Sequence, residues 1–136
     1  MIKVIAGKKG TGKTKRILDM ANTASQNRKH DIVFIDDDNR YMFDLRHEIR
    51  FVNACEYQLA NDYMFVGLLC GIVAQNFDVG YIFIDAFRRL VKADLSQCEW
   101  VFRYLNSIAE KHNVEFVLSI GEDPDEMPQF IRDLVI

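Results

Sequence analysis

Cysteine is scarce and unpatterned in this chain: Cys55, Cys70 and Cys98 are odd in number, far apart and without a CxxC pair. That spacing argues against a disulfide framework or a thiolate zinc site, and makes a reducing cytoplasm the natural setting. Proline is scarcer still, with two in 136 residues, and no stretch rich in Gly, Ser or Pro divides the chain. A single domain spanning residues 1–136 is expected. The N-terminus MIKVIAGKKG has no signal-peptide architecture. The longest apolar run, YMFVGLLCGIVA from Tyr63 to Ala74, falls short of the ~20 residues that a membrane-spanning helix requires. It reads as a buried helix in which Gly67 and Gly71 permit close packing on a sheet, with a self-association face as the other reading. His30, His47 and His112 lack metal-ligand spacing and read as surface residues.

A strong basic excess is also missing. The formal net charge is -3, which argues against bulk attraction to nucleic acid or an acidic membrane. The charge is unevenly placed, however. Residues 1–30 hold eight of the seventeen Lys and Arg (Lys3, Lys8, Lys9, Lys13, Lys15, Arg16, Arg28 and Lys29) and one of the twenty acids, Asp19. A cluster that small suits a compact polyanion better than a nucleic-acid groove.

What the chain does have is an alternation of strand-like and helix-like segments. IKVIA (2–6), DIVFIDDD (31–38), EIRFVNA (48–54), VGYIFID (79–85) and VEFVLSI (114–120) are apolar runs without polar alternation. Helical spacing appears over 14–27 through Ile17, Ala21 and Ala24, and over 54–76 as one helix or two. Ser96 to Glu99, SQCE, matches a capping box opening a helix through Lys111, and a last helical turn follows GEDPDEMP. Unalternating strands separated by helices predict a parallel sheet covered on both faces. The expected fold class is three-layer α/β/α with a mostly parallel five-stranded sheet and its first strand central. The strand after Asp85 should insert beside the first strand.

Between the first strand and the first helix lies GKKGTGKT, Gly7 to Thr14, which satisfies G-x-x-x-x-G-K-[ST] at every fixed position. Its glycines allow successive amides to turn inward as an anion nest, and a helix N-terminus adds partial positive charge. The expected nucleotide-binding positions are Gly7, Lys9, Gly10, Thr11, Gly12, Lys13, Thr14 and Lys15. Lys13 is expected to act in catalysis by reaching the β- and γ-phosphates, and Thr14 to coordinate Mg²⁺. YIFID supplies a strand-end carboxylate, Asp85, for the same ion. Ser119, near the end of the fifth strand, is a candidate polar sensor. Ala86 stands where many ATP hydrolases carry a water-polarising Glu, so another acid must act or turnover is slow. Asp36, Asp37, Asp38 and Glu122 are the candidates, although the Asp triplet reads equally as a solvated turn. Arg88 and Arg89 read either as a finger aimed at the γ-phosphate or as salt-bridged surface residues.

With these motifs in place, the chain resembles the P-loop NTPases over nearly its whole length. More narrowly, it resembles small stand-alone bacterial ATP-binding proteins, loosely labelled pilus-retraction (twitching motility) ATPases. The likeness runs through IAGKKGTGKTKRILDMAN, IRFVNACEY, FVGLLCGIVAQNFDVGYIFID and VEFVLSIGEDPDEMP. It implies nucleotide binding at Gly7–Thr14 and Asp85. The motility label does not carry over, because the acidic and histidine-rich boxes of pilus motors have no counterpart here. The expectation is an ATP- and Mg²⁺-binding protein with slow or partner-stimulated hydrolysis, acting with a protein partner or as a homo-oligomer. No N-K-x-D motif follows a late strand, which favours adenine over guanine. A small-molecule or nucleoside kinase, suggested by DDDNRY, and a non-hydrolysing nucleotide switch are the alternatives.

Overall fold

The computed structural model describes residues 1–27 and 29–136; Arg28, counted above in the basic cluster, lies outside the described residues. The five apolar runs form strands β1 (Ile2–Ala6), β2 (Asp31–Asp36), β3 (Arg50–Asn53), β4 (Val79–Ile84) and β5 (Glu115–Ile120). The helices are α1 (Lys13–Gln26), α2 (Asp62–Gln75), α3 (Phe87–Val91), α4 (Glu99–His112) and α5 (Gln129–Arg132). Every strand pairing is parallel, in the order β1-β5-β4-β2-β3, which makes a three-layer α/β/α arrangement. Strand β5 inserts between β1 and β4, as expected. The first strand is not central, however: β1 is at one edge of the sheet and β3 at the other. Beyond β1 the chain leaving α5 supplies an isolated bridge, Val4 to Val135, through bonds from the Val4 amide to the Leu134 carbonyl at 3.0 Å and from the Ile136 amide to the Val4 carbonyl at 2.9 Å.

Strands buried on both faces need apolar residues at every position, which is why the runs do not alternate. Each still divides its side chains between two cores with a period of two. Ile5, Ile32, Phe34, Phe83 and Val117 pack with Ile17, Leu18 and Ala21 of α1, and Leu45 and Ile49 of the 37–49 loop complete that side. Val4, Val33, Ile35, Ile82, Ile84, Phe116, Leu118 and Ile120 face the opposite way, toward α2, α3, α4 and α5. Each large side chain so buried contributes about 1.5–3 kcal/mol.

Several local expectations are corrected. β2 stops at Asp36, because Asp38 accepts a 2.9 Å bond from the Arg40 amide and turns the chain. Of the two readings of the 54–76 segment, the fold takes the divided one: a 3-10 turn (Ala54–Tyr57) and then α2, separated at Gln58, whose left-handed φ of 50° ends the turn; Asn61 caps α2 by accepting from the Met64 amide at 2.9 Å. The Ser96 capping box does not form. Ser96 lies in a 3-10 turn (Leu95–Gln97), and α4 begins at Glu99 without a side-chain cap. Burial of Leu95 and Cys98 holds that turn in place and displaces the helix start. Gly67 and Gly71 are exposed, since Phe65, Val66, Leu69 and Val73 form the inner face of α2. Among the described residues, no helix is long and apolar enough to cross a membrane.

Candidate functional site

The turn between β1 and α1 is built around the Lys8 carbonyl. That oxygen accepts from the Thr11 amide at 3.3 Å, the Thr11 hydroxyl at 2.7 Å and the Lys13 ammonium at 3.0 Å. The side chain of Lys13 thus curls back over its own loop instead of extending into solvent. Gly7 has φ 151°, and a Cβ there would stand 2.5 Å from Thr11 Oγ1. Only glycine fits such a backbone angle and such a close approach. Gly12, with φ 82°, precedes α1 and offers no capping side chain, and the first turn of α1 carries no acid. The helix therefore begins with uncapped amides and its partial positive charge, next to Lys13.

Strand parity decides what stands opposite this turn. Asp36 continues the β2 side occupied by Ile32 and Phe34, Asp85 continues the β4 side of Phe83, and Ser119 continues the β5 side of Val117. All three therefore sit on the α1 face, in a row across the carboxyl ends of neighbouring strands β2, β4 and β5. Asp36 is 2% exposed, Asp85 7% and Ser119 2%; with Ser25 they are the buried polar residues among those described. Burying acids in this way is costly unless they are hydrogen-bonded.

The bonds are there. Thr14 Oγ1 donates to Asp85 Oδ2 at 3.1 Å, joining the turn to the β4 end. Ser119 Oγ donates to Asp85 Oδ1. The Ala86 amide donates to both Ser119 Oγ at 3.0 Å and Asp85 Oδ1 at 3.1 Å. Ala86 takes a left-handed φ of 63° to do so, an uncommon conformation for a residue with a Cβ. The Asp85 amide donates to the Ile35 carbonyl at 2.9 Å, which brings Asp36 and Asp85 side by side.

The Asp triplet splits. Asp36 Oδ1 accepts from the Asp37 amide at 2.7 Å. Burial, helped by the charges of Asp37 and Asp85, pushes the pKa of Asp36 up to about 7. Burial acts the same way on Asp37, but bonds from Arg89 at 2.6 and 3.3 Å outweigh it and hold that carboxyl below its usual range. Glu122 is tied to Arg88, whose other nitrogen lies 3.6 Å from Asp94. Arg88 and Arg89 are therefore salt-bridged, as the blander sequence reading had it. Lys15 turns along the helix to Asp19 at 2.7 Å, so its side chain leaves the loop, and Lys9 is exposed. His30, His47 and His112 are exposed, as expected.

Of the residues singled out by sequence, the fold brings Lys13, Thr14, Asp85, Ser119 and Asp36 to one place. It does not bring the side chains of Lys15, Arg88 or Glu122 there, whereas carboxylate oxygens of Asp37 and Asp38 lie within 4.8 Å of one of Asp36, and Arg89 comes close through its bonds to Asp37. The Lys8 carbonyl and the Ala86 amide also belong to the site. Their sequence carries no signal for this, because backbone groups are recruited by conformation alone. A groove of about 730 Å³ follows α1 from Gly12 to Asn27 over Tyr81, Phe83 and Val117, but neither Asp36, Asp85 nor Ser119 lines it. The buried polar groups lie at the strand ends instead.

No protein-family model matches the chain, and no curated protein matches it. A hydroxyl and a carboxylate are the hard oxygen donors that a small divalent cation takes, and Thr14 and Asp85 already lie within a hydrogen bond of each other. Facing them are uncapped helix amides and an ammonium, the groups that receive a phosphate.

Proposed function

We propose that this protein binds ATP with Mg²⁺ at the Gly7–Thr14 loop and Asp85, and hydrolyses it slowly. The observation that carries this reading is the Thr14–Asp85 hydrogen bond at 3.1 Å. It joins an anion-receiving turn to a buried acid on another strand, and a turn without a ligand would have no need of that acid.

Each residue then has a physical task. Amides of the loop and of the first turn of α1 receive phosphate oxygens, and Gly7 and Gly12 supply the backbone angles. Lys13 exchanges its bond to the Lys8 carbonyl for one to the β- and γ-phosphates. Thr14 and Asp85 hold the Mg²⁺, which neutralises charge building on the phosphates when bound. Ser119 and the Ala86 amide keep the Asp85 carboxylate aimed at Thr14. Adenine is favoured over guanine by the lack of an N-K-x-D motif. The three free cysteines fit a cytoplasmic protein.

Ala86 favours a second reading, a switch that binds nucleotide and relays it to a protein partner or a second copy without turnover. Two measurements decide. Calorimetry with a non-hydrolysable ATP analogue and Mg²⁺ tests binding, and absence of binding would remove the proposal. Single-turnover hydrolysis separates enzyme from switch, a rate no faster than that of free ATP favouring the switch.

A further inference from the structure

The row at the strand ends contains one group for which metal support leaves no task. We propose that Asp36 orients the attacking water and accepts its proton, the work that Ala86 cannot do; this rests on the nucleotide reading above. Asp36 stands on the α1 face of β2, in line with Asp85 and Ser119 and next to the strand end that bonds Thr14. It is 2% exposed, so its position is held by the sheet and not by a mobile surface loop.

The neighbouring acids each have a partner outside the row. Asp37 is held by two bonds from Arg89, and Glu122 is paired with Arg88. Asp38 caps the Arg40 amide, with a carboxylate oxygen within 4.8 Å of one of Asp36. Asp36 makes no ion pair among the described residues, and the Asp37 amide engages one of its oxygens, Oδ1. That bond fixes the carboxyl, and a side-chain hydrogen bond joins it to the Asp37 carboxyl; as the carboxylate, Asp36 serves as the acceptor.

In the step assigned to it, the water oxygen bonds to the γ-phosphorus as the bond from that phosphorus to the β–γ bridging oxygen breaks. The bond's electron pair remains on the departing diphosphate, and the water proton passes to the Asp36 carboxylate. A positioned base of this kind is worth about 10²–10⁴-fold in rate.

The test compares Asp36→Asn, Asp36→Glu and Asp38→Asn with the natural chain, using single-turnover hydrolysis and calorimetry with the Mg²⁺-bound non-hydrolysable analogue. Thermal unfolding checks that each variant folds. Asp36→Asn should lose about 10²–10⁴-fold in turnover while still binding the analogue. Asp36→Glu should recover part of the rate, and Asp38→Asn should retain it. Asp36→Asn turning over at the natural rate would overturn the inference. So would a natural chain that binds the analogue yet hydrolyses ATP no faster than buffer. A natural chain that fails to bind the analogue would remove the nucleotide reading itself, and the inference with it.

Discussion

Thr14 and Asp85, 71 positions apart in sequence, share a hydrogen bond of 3.1 Å. Such a contact requires β1 and β4 to end at the same edge of one sheet with α1 starting above them. Parallel pairing through β5 brings this about. The bond therefore reports on fold and site together, and variants around it should separate the two.

Lys13→Ala removes an ammonium that, among the described residues, bonds the Lys8 carbonyl and belongs to neither core cluster. Charged hydrogen bonds are worth about 1.5–3 kcal/mol each, so losing two to phosphate should weaken analogue binding by about 100-fold or more. The melting temperature should hardly move. Calorimetry and thermal unfolding on the same sample give both values, and retained affinity would refute the assigned task.

Gly7→Ala should lower stability as well as binding. Its Cβ meets Thr11 Oγ1 at 2.5 Å in a backbone conformation at φ 151° that alanine avoids. Strain of about 1–3 kcal/mol is expected, seen as a melting temperature lowered by several degrees. Analogue binding should fall too, because the turn must open.

Ser119→Ala deletes a donor to Asp85 and an acceptor of the Ala86 amide. Leaving buried partners short of a bond costs about 1–3 kcal/mol. The more specific outcome is a raised Mg²⁺ requirement, measured by titrating the ion against analogue binding, because Asp85 is no longer aimed at Thr14. An unchanged Mg²⁺ midpoint would leave Ser119 with a purely structural task.

Asp36 makes stability depend on pH with a predictable sign. Its pKa is raised from 3.8 to about 7 in the fold, so between those values the folded chain holds a proton that the unfolded chain has released. Stability is then greatest below the unfolded value and is lost as pH rises through about 7. Urea unfolding midpoints taken from about pH 5 to pH 8 should decline for the natural chain and decline less for Asp36→Asn. Parallel curves would show that Asp36 does not titrate there.

Much of the fold was legible because parallel strands are buried on both faces. VGYIFI and VEFVLSI can hardly be anything else when helices flank them. The loop was legible for a different reason, since Gly7, Gly10 and Gly12 all adopt positive φ and glycine is the residue that does so without strain. Ser96 misled because a capping box is a local preference worth about 1 kcal/mol, and burying Leu95 and Cys98 outweighs it. Gly67 and Gly71 misled because their spacing shows that two residues share a helix face but not which way that face points.

The local code of this chain determined where strands and helices form, where the turn must be glycine, and that an acid closes the fourth strand. Those choices depend on backbone angles and on the burial of neighbouring side chains, which residues near in sequence dictate. Tertiary structure alone decided that β1 lies at an edge, that Arg88 and Arg89 are held by Glu122 and Asp37, and that Asp36 among three adjacent acids faces Asp85. Strand order, ion pairing and the side of the sheet that a carboxylate occupies follow from which segments meet in space, and no stretch of sequence carries that by itself.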